Sequence, residues 1–93
     1  MAQAIVDPQE LRRFSSNLKQ FNGELEHAVQ RVRGQFQQLG GTWQDSEYRK
    51  FAEVFDRTVQ ELRKFIQTSE AFLPILDKKA QAIEEFQRHS FGR

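Results

Sequence analysis

A chain of 93 residues makes one small domain at most, and two antiparallel helices of that length bury only a stripe each. Fourteen basic and thirteen acidic residues are interleaved to a net charge of +1, which excludes a field that would steer nucleic acid or a membrane surface. No cysteine is present, so disulfides and a thiol nucleophile are excluded as well.

Residues 1–6 hold neither a basic segment nor an apolar core, and no general secretory signal is expected there. Asp7-Pro8-Gln9-Glu10 predicts a helix start. Asp7 can cap the first free N–H groups, Pro8 suits the first helical position, and Glu10 stands where a capping box wants a carboxylate. Ile5 or Val6 is placed to fold back on Leu11 as a staple. From there an apolar seam at alternating spacings of three and four predicts one helix over about 8–39, through Leu11, Phe14, Leu18, Phe21, Leu25, Ala28, Val32 and Leu39. Gly23 and Gly34 weaken it by roughly 1 kcal/mol each relative to alanine and lie off the seam.

Gly40-Gly41 predicts the end of that helix, with glycine taking the left-handed position after a C-terminus. Asp45 or Ser46 caps a second helix over about 46–88, with Glu47 complementing the positive end of its dipole. Its seam is Tyr48, Ala52, Phe55, Val59, Leu62, Ile66, Leu73, Leu76, Ala80 and Ile83. Pro74 removes the bond to the Glu70 carbonyl, so a kink or short break is expected near Phe72. The seam stays in phase beyond it, and residues 90–93 are expected to fray. The longest apolar run, 71–76, contains that proline and falls far short of the roughly twenty residues that span a bilayer.

Counting outward from a point between Trp43 and Gln44 sets Leu39 opposite Tyr48, Val32 opposite Phe55, Leu25 opposite Leu62, Phe21 opposite Ile66 and Phe14 opposite Leu73. The fold class read from this is all-α: an antiparallel two-helix hairpin in a single domain, 1–93. The competing architecture, one uninterrupted parallel coiled coil, conflicts with two adjacent glycines in mid-seam.

A second stripe accompanies the first. Phe51, Phe65, Phe72 and Phe86 share one heptad position on the second helix, with Thr58 and Lys79 filling the gaps, and Val29 and Phe36 sit on the opposite flank of the first helix. Each helix offers one face to its sole neighbour, so these side chains predict a dimer or partner interface and a four-helix bundle. Alternatively the rings broaden the intramolecular seam, Phe51 and Phe72 leaning inward. Glu10 and Lys79 face each other in this register, and Arg49, Asp56, Arg63, Glu70, Asp77 and Glu84 alternate along the other edge as a solvated face or as a means of partner selection.

Chemistry is not expected. Glu24-x-x-His27 has the spacing of half a di-iron carboxylate site, but it occurs once and off the seam. His89 lies in the tail, Glu84-Glu85 reads as a surface pair, and no Gly-rich phosphate loop occurs. Catalytic residues, a metal and a cofactor are therefore all read as none. Arg12, Arg13, Arg31, Arg33, Lys78 and Lys79 do not gather on one stripe, so a nucleic-acid partner is not expected.

At Gly41-Thr42-Trp43-Gln44-Asp45, between two helices in a chain of about this length, the sequence resembles the WXG family of early-secreted-antigen-like helical hairpins exported by type VII secretion systems. The resemblance covers nearly the whole chain as architecture and implies a homodimer or heterodimer with a related hairpin, with a secretion ATPase as a further partner. It also implies Trp43, Asp45, Gly40 and Gly41 as a turn motif for recognition, and release without a cleavable signal peptide, or residence in the cytoplasm. Trp43 either plugs the end of the bundle under Leu39 and Tyr48 or presents itself to the secretion machinery; an indole can do both. Two departures stand out. Asp45 replaces the family's glycine two residues after the tryptophan, which is mild because aspartate caps helices well. The family's late Tyr followed four residues on by Asp or Glu has no match: Tyr48 is the only tyrosine and is followed by Ala52, while Phe86 with Ser90 lacks the acid. A partner hairpin would then supply that signal, or the chain is an intracellular coiled-coil adaptor unconnected with export.

Overall fold

The computed structural model describes residues 6–91, in backbone alone for 90 and 91. It contains two α-helices, α1 Pro8–Leu39 and α2 Ser46–Phe91, and among the described residues no strand. Residues 90 and 91 are helical where fraying was expected; the rest of the expected tail and the Ile5 staple lie outside the described residues. α2 runs through Pro74 without ending, so the expected short break does not occur. Pro74 is exposed, and its ring is accommodated on the solvent side of the helix.

α1 begins as its first residues dictate. The Asp7 carboxylate accepts the Gln9 N–H at 2.9 Å and the Asp7 carbonyl accepts the Leu11 N–H at 3.1 Å, with Pro8 buried at the first helical position. The other end tightens rather than reversing. Gly40 N–H lies 3.2 Å from the carbonyls of both Phe36 and Gln37, Gly41 N–H donates to Gln38 at 3.1 Å, and the Thr42 and Trp43 N–H groups both donate to Leu39. The Gln44 amide and the Thr42 hydroxyl cover the carbonyls of Gly40 and Leu39. No described residue has a positive φ, which corrects the expectation of a left-handed glycine cap. Gly40 is needed for a different reason: a Cβ there would lie 2.8 Å from Cζ of Tyr48 and closer still to its hydroxyl.

The chain forms two compact units, one of Asn22–Thr68 and one of Met1–Phe21 with Ser69–Arg93. In the first, Asn22, Leu25, Val29 and Phe36 of α1 turn inward, as do Tyr48, Ala52, Phe55, Val59, Leu62 and Ile66 of α2. In the second the inward residues are Pro8, Leu11, Ser15 and Leu18, with Ser69, Leu73, Leu76, Ala80 and Ile83. The α2 seam is the expected one with Ser69 added. The α1 seam is not. Leu11, Leu18, Leu25 and Ala28 stay at least half-buried, but Ser15, Asn22, Val29 and Phe36 turn inward where Phe14, Phe21, Val32 and Leu39 were expected.

Phe14, Phe21, Val32 and Leu39 are exposed instead. The expected pairings of Leu39 with Tyr48 and Val32 with Phe55 are taken over by Phe36, which touches both aromatic rings. Seam residues as small as Ser15, Ser69 and Ala80 let backbones approach closely, so bulk at the adjacent positions is driven outward.

Glycine substitutions separate these causes. A Cβ at Gly23 or Gly34 meets nothing within 4 Å, so Gly23→Ala and Gly34→Ala should each raise stability by about 1 kcal/mol. Gly40→Ala must displace the Tyr48 ring and should lower the Tm. Thermal unfolding followed by circular dichroism checks the ordering; a rise for all three would contradict it.

Candidate functional site

The turn is organised by five rings. Tyr48 stacks on Phe36 with centroids 4.7 Å apart, and its hydroxyl donates to the Phe36 carbonyl at 3.4 Å. Trp43 meets Tyr48 edge-on at 5.3 Å, Phe51 meets Phe36 edge-on at 5.4 Å, and Phe55 lies 5.1 Å from Phe36 and 6.0 Å from Phe51. Trp43 is half-buried, so one edge packs while part of the indole stays accessible.

Asp45 starts α2. Its carboxylate accepts the Tyr48 N–H at 3.1 Å, three residues along, in the geometry of an N-cap. That bond holds the Asp45 carboxyl below the usual carboxylate range, against a partial loss of water; the Trp43 indole, the Glu47 N–H and the Arg49 charge add to the effect. The residue standing in place of the motif's glycine thus ties the tryptophan turn to the first turn of α2. Gly41 is exposed, and Gly40 lies against Tyr48.

The two edges of the hairpin differ in kind. Four residues after the α1 seam positions Pro8, Ser15, Asn22 and Val29 come Arg12, Lys19, Glu26 and Arg33. Four after Ala52, Val59, Ile66, Leu73 and Ala80 of α2 come Asp56, Arg63, Glu70, Asp77 and Glu84. In an antiparallel pair these rows flank the same side of the seam. Arg12 grips Glu84 with two bonds, 2.9 and 2.8 Å, and Arg63 lies 3.6 Å from Glu26. One step of seven from Glu26 and Arg63 towards the turn, Arg33 and Asp56 are again opposite in sign. Asp77 adds to the attraction felt by Arg12. Among the described residues Glu10 and Lys79 do not form the ion pair that was expected. Near the turn this edge opens into a shallow groove, with Phe36, Tyr48 and Phe55 among its lining and Arg33 and Asp56 at its sides.

The residues immediately before the seam positions form the opposite edge of each unit: Ala28 with Phe51, Thr58 and Phe65 in the first, and Asp7, Phe14 and Phe21 with Phe72, Lys79 and Phe86 in the second. Its six phenylalanines are between 47% (Phe65) and 70% (Phe86) exposed. Val32 and Leu39 border it on α1, Val54 and Ile75 on α2, all exposed. Of the six residues assigned to a partner interface, Phe51, Phe65, Phe72 and Phe86 therefore stand outward. Val29 and Phe36 do not, which corrects their assignment: Val29 is buried within its unit and Phe36 is the hub of the turn cluster. Phe14 and Phe21 were read as seam, and Val54 and Ile75 were not singled out. The signal that locates them is the charge complementarity of the other edge, which fixes the rotation of α1.

Among the described residues no group of three His, Cys, Asp or Glu could hold a metal ion, and no helix is long and apolar enough to cross a membrane. Glu24 and His27 are exposed on α1.

Two carboxyls titrate below their ordinary range: Asp45 through its cap, and Glu84 chiefly through the Arg12 hydrogen bonds. A depressed native pKa adds stability above the unfolded value, about 4 for both types, and that contribution is lost as the pH falls through the native value. Melting temperatures should therefore drop below about pH 4, and less steeply in Asp45→Ala and Arg12→Ala, which start from a lower Tm. Parallel acid profiles for all three proteins would refute this assignment.

Known proteins place these features. The family model described as WXG100, proteins of 100 residues with WXG, matches residues 3–88. Among solved structures, EsxB of Bacillus anthracis str. Sterne, described as a secreted protein, is similar throughout. One of its crystal structures shares 26% identity at a TM-score of 0.73, covering 94% of this chain and 99% of that one. The wild-type protein in space group P21 shares 28% at 0.71, covering 88% and 94%, and a point mutant shares 27% at 0.75, covering 91% and 96%. No curated protein matches. With two helices joined by a tryptophan turn and a family match over nearly its whole length, the chain belongs to the WXG100 family.

Proposed function

We propose that this protein acts without catalysis, by closing its aromatic edge on a second helical hairpin to complete a four-helix bundle. The assembly is a substrate or partner of a type VII secretion system. The observation that carries this reading is the exposure of phenylalanine rings in both units, Phe51 and Phe65 in one and Phe14, Phe21, Phe72 and Phe86 in the other. Full burial of one such side chain is worth about 1.5–3 kcal/mol, and apolar patches of this kind on water-facing surfaces mark contact sites. The charged edge is a poorer docking surface, because Arg12, Glu26, Arg63 and Glu84 already pair within the chain.

Export is supported by membership of the family and by likeness to EsxB, which is described as secreted. Tyr48, the only tyrosine among these 93 residues, is engaged at the turn, and in the proposed assembly the partner hairpin supplies the late tyrosine signal. The accessible part of Trp43, held by Tyr48 and Asp45, is the part of the turn offered to the export machinery.

Phe65→Glu and Phe72→Glu should each lower the molar mass measured by sedimentation towards that of one chain, while Gln67→Glu, on the outer face of α2, should leave it unchanged. Equal masses for all three would sink the interface. Trp43→Ala should keep most of the helicity yet reduce the amount exported by cells carrying a type VII system. Undiminished export of that variant would remove the turn from recognition.

A further inference from the structure

We infer that, until that partner is present, a second copy of the chain takes its place, laid antiparallel so that Glu61 of one copy meets Lys79 of the other. The inference rests on the aromatic edge being the docking face. From residue 51 to 86, α2 carries outside its seam a second set of positions spaced alternately by three and four. In the unit of Asn22–Thr68 these are Phe51, Val54, Thr58, Glu61, Phe65 and Thr68. In the unit of Met1–Phe21 with Ser69–Arg93 they are Phe72, Ile75, Lys79, Ala82 and Phe86. Every one is exposed. Each set holds one charge, and the two are opposite in sign. Among the described residues neither Glu61 nor Lys79 forms an ion pair.

Antiparallel helices meeting along such stripes face each other layer by layer, so one pair fixes all the others. With Lys79 against Glu61 of the second copy, Ile75 faces Phe65, Phe72 faces Thr68, Ala82 faces Thr58 and Phe86 faces Val54. Each layer joins one unit of one copy to the other unit of its mate, and two-fold symmetry repeats every contact. Every phenylalanine in these layers meets a smaller side chain, the alternation that lets facing helices interdigitate. Sliding by one heptad breaks the match. Lys79 then meets Thr68 while Glu61 meets Phe86, or Lys79 meets Val54 while Glu61 meets Phe72, and neither charge regains what it loses in water. A parallel pairing in register sets like charges together instead. The other acids of Lys79's own unit stand off this stripe: Glu70 lies on the charged edge, Glu10 is on α1, and Asp7 caps α1.

Sedimentation equilibrium on the purified chain tests this, with the wild type, Glu61→Lys, Lys79→Glu, their combination and Phe72→Glu. The wild type should dimerise. Each single reversal should weaken the dimer at least about tenfold, because it sets like charges together at two symmetric points. The combined variant should recover most of that loss, and an equal mixture of the two single variants should dimerise more tightly than either alone. Lys78→Glu, one residue away on the outer face, should match the wild type and controls for net charge. A monomeric wild type overturns the inference and leaves the face to the partner hairpin alone. A dimer that the reversals do not weaken, or that their combination does not restore, overturns it as well. So does rescue of Lys79→Glu by Glu10→Lys in place of Glu61→Lys. Phe72→Glu separates the two levels: if its dimer is as tight as that of the wild type, the contact lies elsewhere and the aromatic edge itself fails as a docking face.

Discussion

A seam built from small and polar residues decides how the rest of this molecule is arranged. Ser15, Asn22 and Val29 of α1, and Ser69 and Ala80 of α2, are buried within their units, with Asn22 only 1% and Ala80 0% exposed. Two helices share a single line of contact, so every residue assigned to that line displaces another from it. Phe14 and Phe21, each one position before a seam residue, are displaced outward, and so are Phe51, Phe65, Phe72 and Phe86 of α2. Six of the nine phenylalanines are thereby kept from its interior.

This explains which parts of the architecture were legible in the sequence. The α2 seam could be read from hydrophobicity alone, because Tyr48, Ala52, Phe55, Val59, Leu62, Ile66, Leu73, Leu76, Ala80 and Ile83 are apolar or aromatic and turn inward, alongside Ser69. On α1 the same rule fails. Phe14 and Phe21 outscore Ser15 and Asn22 on any hydrophobic scale, yet the weaker pair is inside. Apolar periodicity reports burial without saying against what, so a face reserved for another molecule is indistinguishable from a core. The helix ends were clearer. Asp7 and Asp45 cap their helices through bonds that their side-chain chemistry makes predictable. Gly40 was correctly placed at a boundary for the wrong cause, since what requires it is the Tyr48 ring eight residues later rather than a left-handed backbone.

The rotation of α1 is encoded after all, in charge. If Phe14 and Phe21 occupied the seam, the flanking row would not oppose Asp56, Arg63, Glu70 and Asp77 with matched signs. With Ser15, Asn22 and Val29 inside, Arg12 meets Glu84 and Glu26 meets Arg63. Exposed ion pairs contribute little to stability singly. Mismatched signs repeated along an edge, however, penalise a slipped or rotated arrangement at every layer, so the row acts on specificity more than on strength.

The two edges therefore divide the labour of recognition. Charges matched within one chain have little left to offer a second molecule, and pulling them apart would require compensating contacts. Rings half-covered by their own chain have the opposite character. Their remaining surface still gains from burial, they lose little side-chain freedom on docking, and nothing polar on them has to be satisfied. Affinity for a partner thus arises where the chain is chemically simplest, on an edge of phenylalanines that any apolar hairpin would fit. Selectivity on that edge must come from whatever interrupts it. Lys79 interrupts it on α2 and Asp7 stands one heptad before Phe14 on α1, so a partner covering that unit meets charge of both signs.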